Sequence, residues 1–317
     1  MRTTTTTITT DFRADADVLL SRLHHEPARR LAKVLIFAML VVVWSTASGC
    51  ALSRWNGRDQ PPAPPVAFDS TPTLEQMVAA INGQTGSIQQ LQIRDAKLSV
   101  AGAPTLTADI ALERPQRFRM RAGTRMTGPE LDMGSNDLIF WLWARRTDPP
   151  AVFYGHHDRP LSADAQQVLP IPPQWLIEAL GLINLDPQHG QISGPYPHSD
   201  GRLEIRYVVA GPDGPWTKQL IVDGKYGWVV QQHVFDASMR NLASVWASQH
   251  RHDPSHGVTL PRQVVIRLPS TQINTITLRM DSISVNQLQA DPVQLWTMPE
   301  YDGYPPTHLS EVQLLPQ

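Results

Sequence analysis

Cysteine is almost absent: Cys50 is the single thiol in 317 residues. An intramolecular disulfide is therefore excluded, and the fold rests on its apolar core in any redox compartment. No basic stripe runs along the chain, which argues against a nucleic-acid partner. From Cys50 onward 21 basic residues stand against 25 acidic ones, a net of −4. Long apolar runs are lacking too. The run from Val34 to Trp44 holds 11 residues, well short of the roughly 20 that a spanning helix needs. There is no Gly-x-Ser-x-Gly elbow, no His-Glu-x-x-His pair and no phosphate-binding glycine loop. The expectation is a protein that is not an enzyme, with no cofactor and no metal.

What is present begins with an address. Arg29, Arg30 and Lys33 precede the short apolar run, and small residues lead from Ser45 to Cys50. A basic flank, a short apolar core and a small-residue cleavage site are the layout of a secretory signal. The ending Ala47-Ser48-Gly49-Cys50 resembles the lipobox of bacterial lipoproteins, with Ala47 where a leucine is usual. The resemblance implies that Cys50 is diacylated and becomes the first residue, so that residues 1–49 are a signal peptide. Several acyl chains together hold a protein stably on a bilayer, at about 0.8 kcal/mol per buried methylene. Ala51 is not the aspartate associated with inner-membrane retention, so the resemblance favours the periplasmic side of the outer membrane.

Residues 50–70 read as a tether, with Pro61-Pro62-Ala63-Pro64-Pro65 at its centre. Such a stretch is extended and semi-rigid. Residues 71–317 then read as one domain. Thr71-Pro72 opens a helix in which Leu74, Met77, Val78 and Ile81 form one apolar stripe, and Asn82-Gly83 should stop it. That stripe should lie on a sheet. Strands are expected over 88–100, 106–113, 117–121, 130–133, 138–143 and 151–155, with turns at Gly134 to Asp137 and Asp148-Pro149-Pro150. Pro172-Pro173 opens a second helix carrying Trp175, Leu176, Ala179, Leu180 and Ile183. Strands resume at 203–210, 218–222, 228–235, 258–268 and 273–285. Prolines are expected in the connections. The fold class is mainly β with few helices (α+β): one curved antiparallel sheet, an unclosed barrel whose concave face the helices cover.

Several short pieces carry a second resemblance. Arg114 to Arg119, Leu131 to Asn136, Phe140 to Trp143 and Tyr154-Gly155 resemble the superfamily of periplasmic lipoprotein carriers and outer-membrane lipoprotein receptors. Leu260-Pro261 at a strand start and Asp281 to Asn286 resemble its C-terminal end. The resemblance spans roughly residues 72 to 300. It implies the same unclosed barrel, with an apolar cavity for acyl chains, and the membrane anchor likens this chain to the receptor. No functional residue is carried over from that superfamily.

From the residues themselves, Phe140, Trp141, Trp143, Phe153 and Tyr154 are dense in mid-sheet, and Trp175, Leu176, Leu180 and Ile183 sit on the second helix. As ligand-binding candidates they would line an apolar cavity and its lid; as ordinary core they would simply pack. Two functions therefore stay open. One is a membrane-anchored lipoprotein binding a lipid or another lipoprotein's acyl chains. The alternative is a structural or assembly lipoprotein of the envelope with a filled core and protein partners. His250, His252, Asp253 and His256 are expected in a solvated turn, with His156-His157 in a similar loop. The carboxylates Asp109, Glu113, Asp132, Asp137, Glu204 and Asp223 are scattered along the chain.

The anchor is directly testable. Cys50→Ser removes the only thiol that can accept a thioether-linked lipid, so labelled palmitate should no longer be incorporated. A serine variant that is still processed at residue 50 and still partitions into detergent contradicts the lipoprotein reading.

Overall fold

The computed structural model describes residues 63–159, 165, 169, 173–186, 191–211, 214–269 and 274–312. All of them belong to one compact unit, residues 61–317. The expected signal segment and Cys50 lie outside the described residues, as does most of the expected tether.

Fifteen strands make one curved sheet without closing into a barrel. Its first half is a meander of β1 (Gln90–Val100), β2 (Leu106–Glu113), β3 (Arg117–Thr124), β4 (Gly128–Ser135), β5 (Ile139–Ala144) and β6 (Val152–His156). Its second half runs β7 (Ile192–Pro197), β8 (Arg202–Gly211), β9 (Gly214–Asp223), β10 (Val229–Phe235) and β11 (Asn241–Ser248). A small hairpin, β12 (Arg251–Asp253) with β13 (Val258–Leu260), stands apart before β14 (Gln263–Arg267), β15 (Thr275–Arg279) and β16 (Ser282–Val285). Beyond lies β17 (Pro306–His308), whose pairing with β6 is the one parallel contact of the sheet among the described residues.

The halves join on β1. One edge of β1 pairs with β2, and the other pairs with β15 over Lys97 to Val100 and with β16 over Leu91 to Arg94. Where β15 gives way to β16, β1 bulges between Ile93 and Ala96, with Asp95 at φ 53. Such a bulge bends a strand and sharpens its twist. Asn286, also left-handed at φ 54, ties the far end: its Oδ1 accepts from the N–H groups of Gln89 and Gln90, and its Nδ2 donates to Ser87 O.

Helix α1 (Leu74–Thr85) is capped by Thr73, not by the expected Thr71. Thr73 Oγ1 accepts from Gln76 N at 3.3 Å while Gln76 Oε1 accepts from Thr73 N at 2.8 Å, a reciprocal capping box. Asn82-Gly83 does not end the helix either. Asn82 spends its side chain elsewhere, donating to Leu185 O at 2.7 Å and accepting from Leu185 N at 2.8 Å. The stripe Met77, Val78 and Ile81 is buried on Leu203, Ile205 and Tyr207 of β8 and Leu220 and Val222 of β9, with Leu74 at its margin.

Both faces of β5 are covered, which is why its sequence shows no polar alternation. Phe140 and Leu142 face inward with Phe153, while Trp141 and Trp143 face outward with Tyr154. Two of these rings lie over glycines on the facing strands. Trp141 pairs with Gly134, and Phe140 with Gly155; a Cβ on those glycines would sit 2.4 Å and 2.6 Å from the rings. The expected turn after Gly134 begins later, at Asn136, whose Oδ1 accepts from Leu138 N and Ile139 N at 2.9 Å.

The outer rings are roofed by the C-terminal segment, which contains α3 (Pro292–Trp296). Tyr301 stacks on Trp143 at 3.8 Å, and Tyr304 meets it edge-on at 5.4 Å. Beneath, Asp132 is fully buried on β4 and pairs with Arg119 of β3 through two N–H···O contacts of 3.1 and 2.7 Å. Arg119 Nη1 also donates to the carbonyls of Gln294, Leu295 and Thr297, at the end of α3. Tyr301 Oη donates to Asp132 Oδ2 at 2.8 Å, and burial beside that carboxylate raises the phenol well above its usual range.

Other departures from the expected pattern have local causes. Leu260-Pro261 ends β13, and the next strand starts at Gln263. Prolines enter strands at or near their ends, as Pro129, Pro197, Pro215 and Pro306 do.

Removing one member of the buried pair should be costly. Asp132→Ala leaves Arg119 uncompensated in a dry site and should lower unfolding stability by ~3–5 kcal/mol in urea titration. The double variant Arg119→Met, Asp132→Leu should lose much less, because no lone charge remains. Equal losses for both would contradict this account of the strap.

Candidate functional site

The inner face of the sheet is the candidate site. Leu91, Ile93 and Leu98 of β1, Ile110 and Leu112 of β2, and Phe118 of β3 form its floor, continuing through Val245, Val264 and Leu278. Strand alternation puts every second side chain there, and these positions are all apolar. A face of that kind must be covered.

The cover comes chiefly from residues 175–182, in the connection between β6 and β7. Helix α2 (Pro173–Ala179) lies within it. Trp175, Ile177, Ala179, Leu180 and Leu182 are buried in the same cluster as the floor, and Leu176 packs at its edge. Trp175 keeps only 3 % of its surface. Two polar contacts anchor the helix. Lys218 Nζ donates to Glu178 Oε2 at 2.6 Å, and Gln232 Nε2 donates to Glu178 O at 2.8 Å. Gln232 is buried on the inner face of β10, so this second bond satisfies a polar group that would otherwise be stranded.

Helix α2 is shorter than the sequence suggests. It stops at Ala179 because Gly181 turns the chain at φ +96, against Pro261. Ile183 therefore lies beyond the helix and packs under α1 with Leu185.

The aromatic and aliphatic candidates do not converge on one pocket. Trp175, Leu176 and Leu180 share the central cluster, and Ile183 belongs to the cluster under α1. Phe140 and Phe153 pack inside with Ala165, Leu169 and Leu309, while Trp141 and Trp143 lie on the outer face. Ile177, fully buried between Leu176 and Glu178, is a member of the central cluster that helical spacing alone did not single out. Cys50 lies outside the described residues.

A cavity of about 20 Å³, close to the size of one water, borders the end of α2 and is lined by Gly181, Ile183, Trp228 and His250 among others. His250 is not in a solvated turn as expected. Its ring stacks on Trp228 at 4.7 Å, and Trp228 stacks on Tyr226 at 4.6 Å. Burial lowers the imidazole to about 4, against the smaller pulls of a hydrogen bond with the Val229 backbone and the charge of Asp223. His252 and Asp253 are instead in β12, and His256 Nδ1 lies 2.8 Å from Asp253 Oδ2. His157 leans on the Phe140 ring at 5.5 Å, and the His156 ring lies 5.6 Å from that of His308. Among the described residues no three His, Cys, Asp or Glu side chains gather closely enough to hold a metal.

Of the scattered carboxylates, Glu113, Asp132, Asp137 and Glu204 are tied to cations, while Asp109 and Asp223 accept from backbone N–H groups. Glu113 and Asp137 both pair with Arg117, which holds the Asp137 carboxyl below its usual range. Glu204 is buried on the outer face of β8 between His198, at 2.9 Å, and Arg206. Desolvation alone would raise its pKa, but hydrogen bonds from His198, Arg206 and Gln219 outweigh that and lower it.

No protein-family model and no curated protein matches the chain. Solved structures with a similar fold include an outer membrane lipoprotein-sorting protein domain from Vibrio parahaemolyticus, at 6% identity and TM-score 0.47. That match covers 70% of this chain and 97% of that one. A LolA superfamily protein from Nitrosomonas europaea matches at 10% identity and TM-score 0.44, over 70% and 97% of the two chains. A DUF1329 family protein from Desulfovibrio piger matches at 9% identity and TM-score 0.45, over 70% and 96%. The likeness is one of fold.

The stacked histidine makes a pH prediction. An unfolded imidazole takes a proton below about 6.5, the folded His250 only below about 4. Between those values the unfolded chain binds more protons, so stability is full above pH 6.5. It should decline by up to about 3 kcal/mol as the pH drops to 4. His250→Phe should flatten that part of the urea-midpoint profile. An unchanged slope in the variant would assign the acid sensitivity to other groups.

Proposed function

We propose that this is a lipid-anchored, non-catalytic protein of the bacterial envelope that binds an apolar ligand on the inner face of its half-barrel. The ligand is a lipid or the acyl chains of another lipoprotein. The β6–β7 connection occupies the ligand's place and is displaced when it binds. One observation carries this reading: the apolar floor is covered by one connection of about 35 residues, where most connections run about 4–6.

The chemistry suits the exchange. Trp175, Ile177 and Leu180 meet the floor through apolar contact, which is non-directional and roughly proportional to area. An acyl chain can therefore replace them without matching any hydrogen-bond pattern. The anchors on Glu178 are retained or remade in water at small net cost. Acyl chains would then pass from one apolar environment to another without crossing water.

The second reading, an assembly or structural lipoprotein with a permanently filled core, is favoured by the tight burial of Trp175 and Ile177 and by the small size of the neighbouring cavity.

Thiol accessibility separates the two. In a Cys50→Ser background, Leu180→Cys is the only thiol in the chain, and its reaction with a maleimide should be slow. Adding a diacylated lipopeptide should accelerate labelling at least tenfold if the cover is displaced. Labelling that stays slow at saturating lipopeptide would establish the filled core instead.

A further inference from the structure

A groove of about 790 Å³ opens on the outer face of β1, β2 and β3, away from the apolar floor. Strand alternation builds it, since Gln92, Arg94, Lys97, Thr107, Asp109, Arg119 and Arg121 alternate with the core positions of these strands. Five cations line it: Arg94, Lys97, Arg119, Arg121 and Arg125. Two carboxylates accompany them, Asp95 and Asp109, and Asp109 Oδ1 already accepts from Asp95 N at 3.1 Å. Arg119 at the floor is neutralised by Asp132. The groove thus carries an excess of two positive charges in a chain whose net charge is −2.

The remaining cations are available. Arg94 donates to the Gln289 amide and Lys97 to Thr107 Oγ1, neither of them charged partners. The side chains of Arg121 and Arg125 are exposed and have no hydrogen-bond or ion-pair partner among the described residues. An unpaired guanidinium offers a rigid fork for carboxylate or phosphate oxygens. Around them stand neutral hydroxyls and an amide, from Thr105, Thr107, Thr124 and Gln92.

Other occupants fit less well. About half of the lining is polar, and it carries several charges, unlike an acyl-chain site. It holds no aromatic ring on which a nucleic-acid base could stack. Strands β1, β2 and β3 are all interior to the sheet, so their ladders are paired on both sides and a peptide finds no free edge to extend. We infer that the groove binds an anionic saccharide, a sugar chain bearing carboxylate or phosphate groups. Arg121 and Arg125 hold the charges, and the threonine and glutamine side chains bond the sugar hydroxyls. This site is independent of the inner face.

The test is calorimetry on the full chain in zwitterionic detergent micelles, with tetragalacturonate and a phosphorylated mannopentaose as the anionic sugars. Cellotetraose serves as the neutral sugar, tetraphosphate as charge without sugar, and micelles doped with phosphatidylglycerol as a lipid surface. At least one anionic sugar should bind, more weakly in 0.5 M salt because exposed charges are screened. The double variant Arg121→Ala, Arg125→Ala should weaken it at least tenfold with the melting temperature unchanged. Binding of neither anionic sugar overturns the inference, as does equal affinity for cellotetraose or for tetraphosphate. Binding to doped micelles that the double variant abolishes, without sugar binding, would reassign the groove to a membrane surface.

Discussion

An open sheet with one largely apolar face cannot stand alone in water, and that constraint organises the molecule. The sheet bends on β1 but does not close, so nothing in the sheet itself hides Leu91, Ile93, Ile110 and Phe118. Three separate pieces of chain do so. Helix α1 covers β8 and β9, the β6–β7 connection covers the middle, and the turn at Leu309 covers β5 and β6. At ~25 cal/mol per Å² of apolar surface removed from water, each cover contributes in proportion to its area rather than to any specific bond.

The outer strap works by the opposite logic. Arg119, Asp132, Tyr301 and three carbonyls at the end of α3 form a network in which each partner has a directional requirement. A buried ion pair of this sort adds little net stability but penalises any arrangement that leaves one charge alone. The strap is thus fixed in register, whereas the inner cover is held mainly by contact area. Only the second kind of attachment can be traded for a lipid chain, which is why the exchange we propose is placed on the inner face and not on the aromatic outer cluster.

Much of the fold was legible because period-two patterns, Gly and Pro breaks and the α1 stripe are local signals. The range Leu106 to Glu113 coincides with β2, and most other expected strands differ from the observed ones by a few residues at their ends. The misses have physical reasons. Strand β11 hides its core face in Ala243, Val245 and Ala247, small residues set among Asn and Ser. Strand β7 carries Gly194-Pro195, which reads as a break. The division of Phe140 and Phe153 from Trp141 and Trp143 follows from alternation along β5 and β6. That they meet different covers depends on residues near 169 and 301, far away in sequence. His250 read as a loop residue because nothing local announces that Trp228 will stack on it.

The claim that α2 is an exchangeable cover makes the most direct demand on local stability. Amide hydrogen exchange at low denaturant should find the N–H groups of Leu180, Gly181 and Leu182, bonded within the connection, opening at a lower free energy than those of Leu91 to Leu98 on β1. Their exchange should also depend less on denaturant, as a sub-global opening requires. If α2 and β1 exchange together, with one free energy and one denaturant slope, the cover is part of the global core and cannot yield to a ligand.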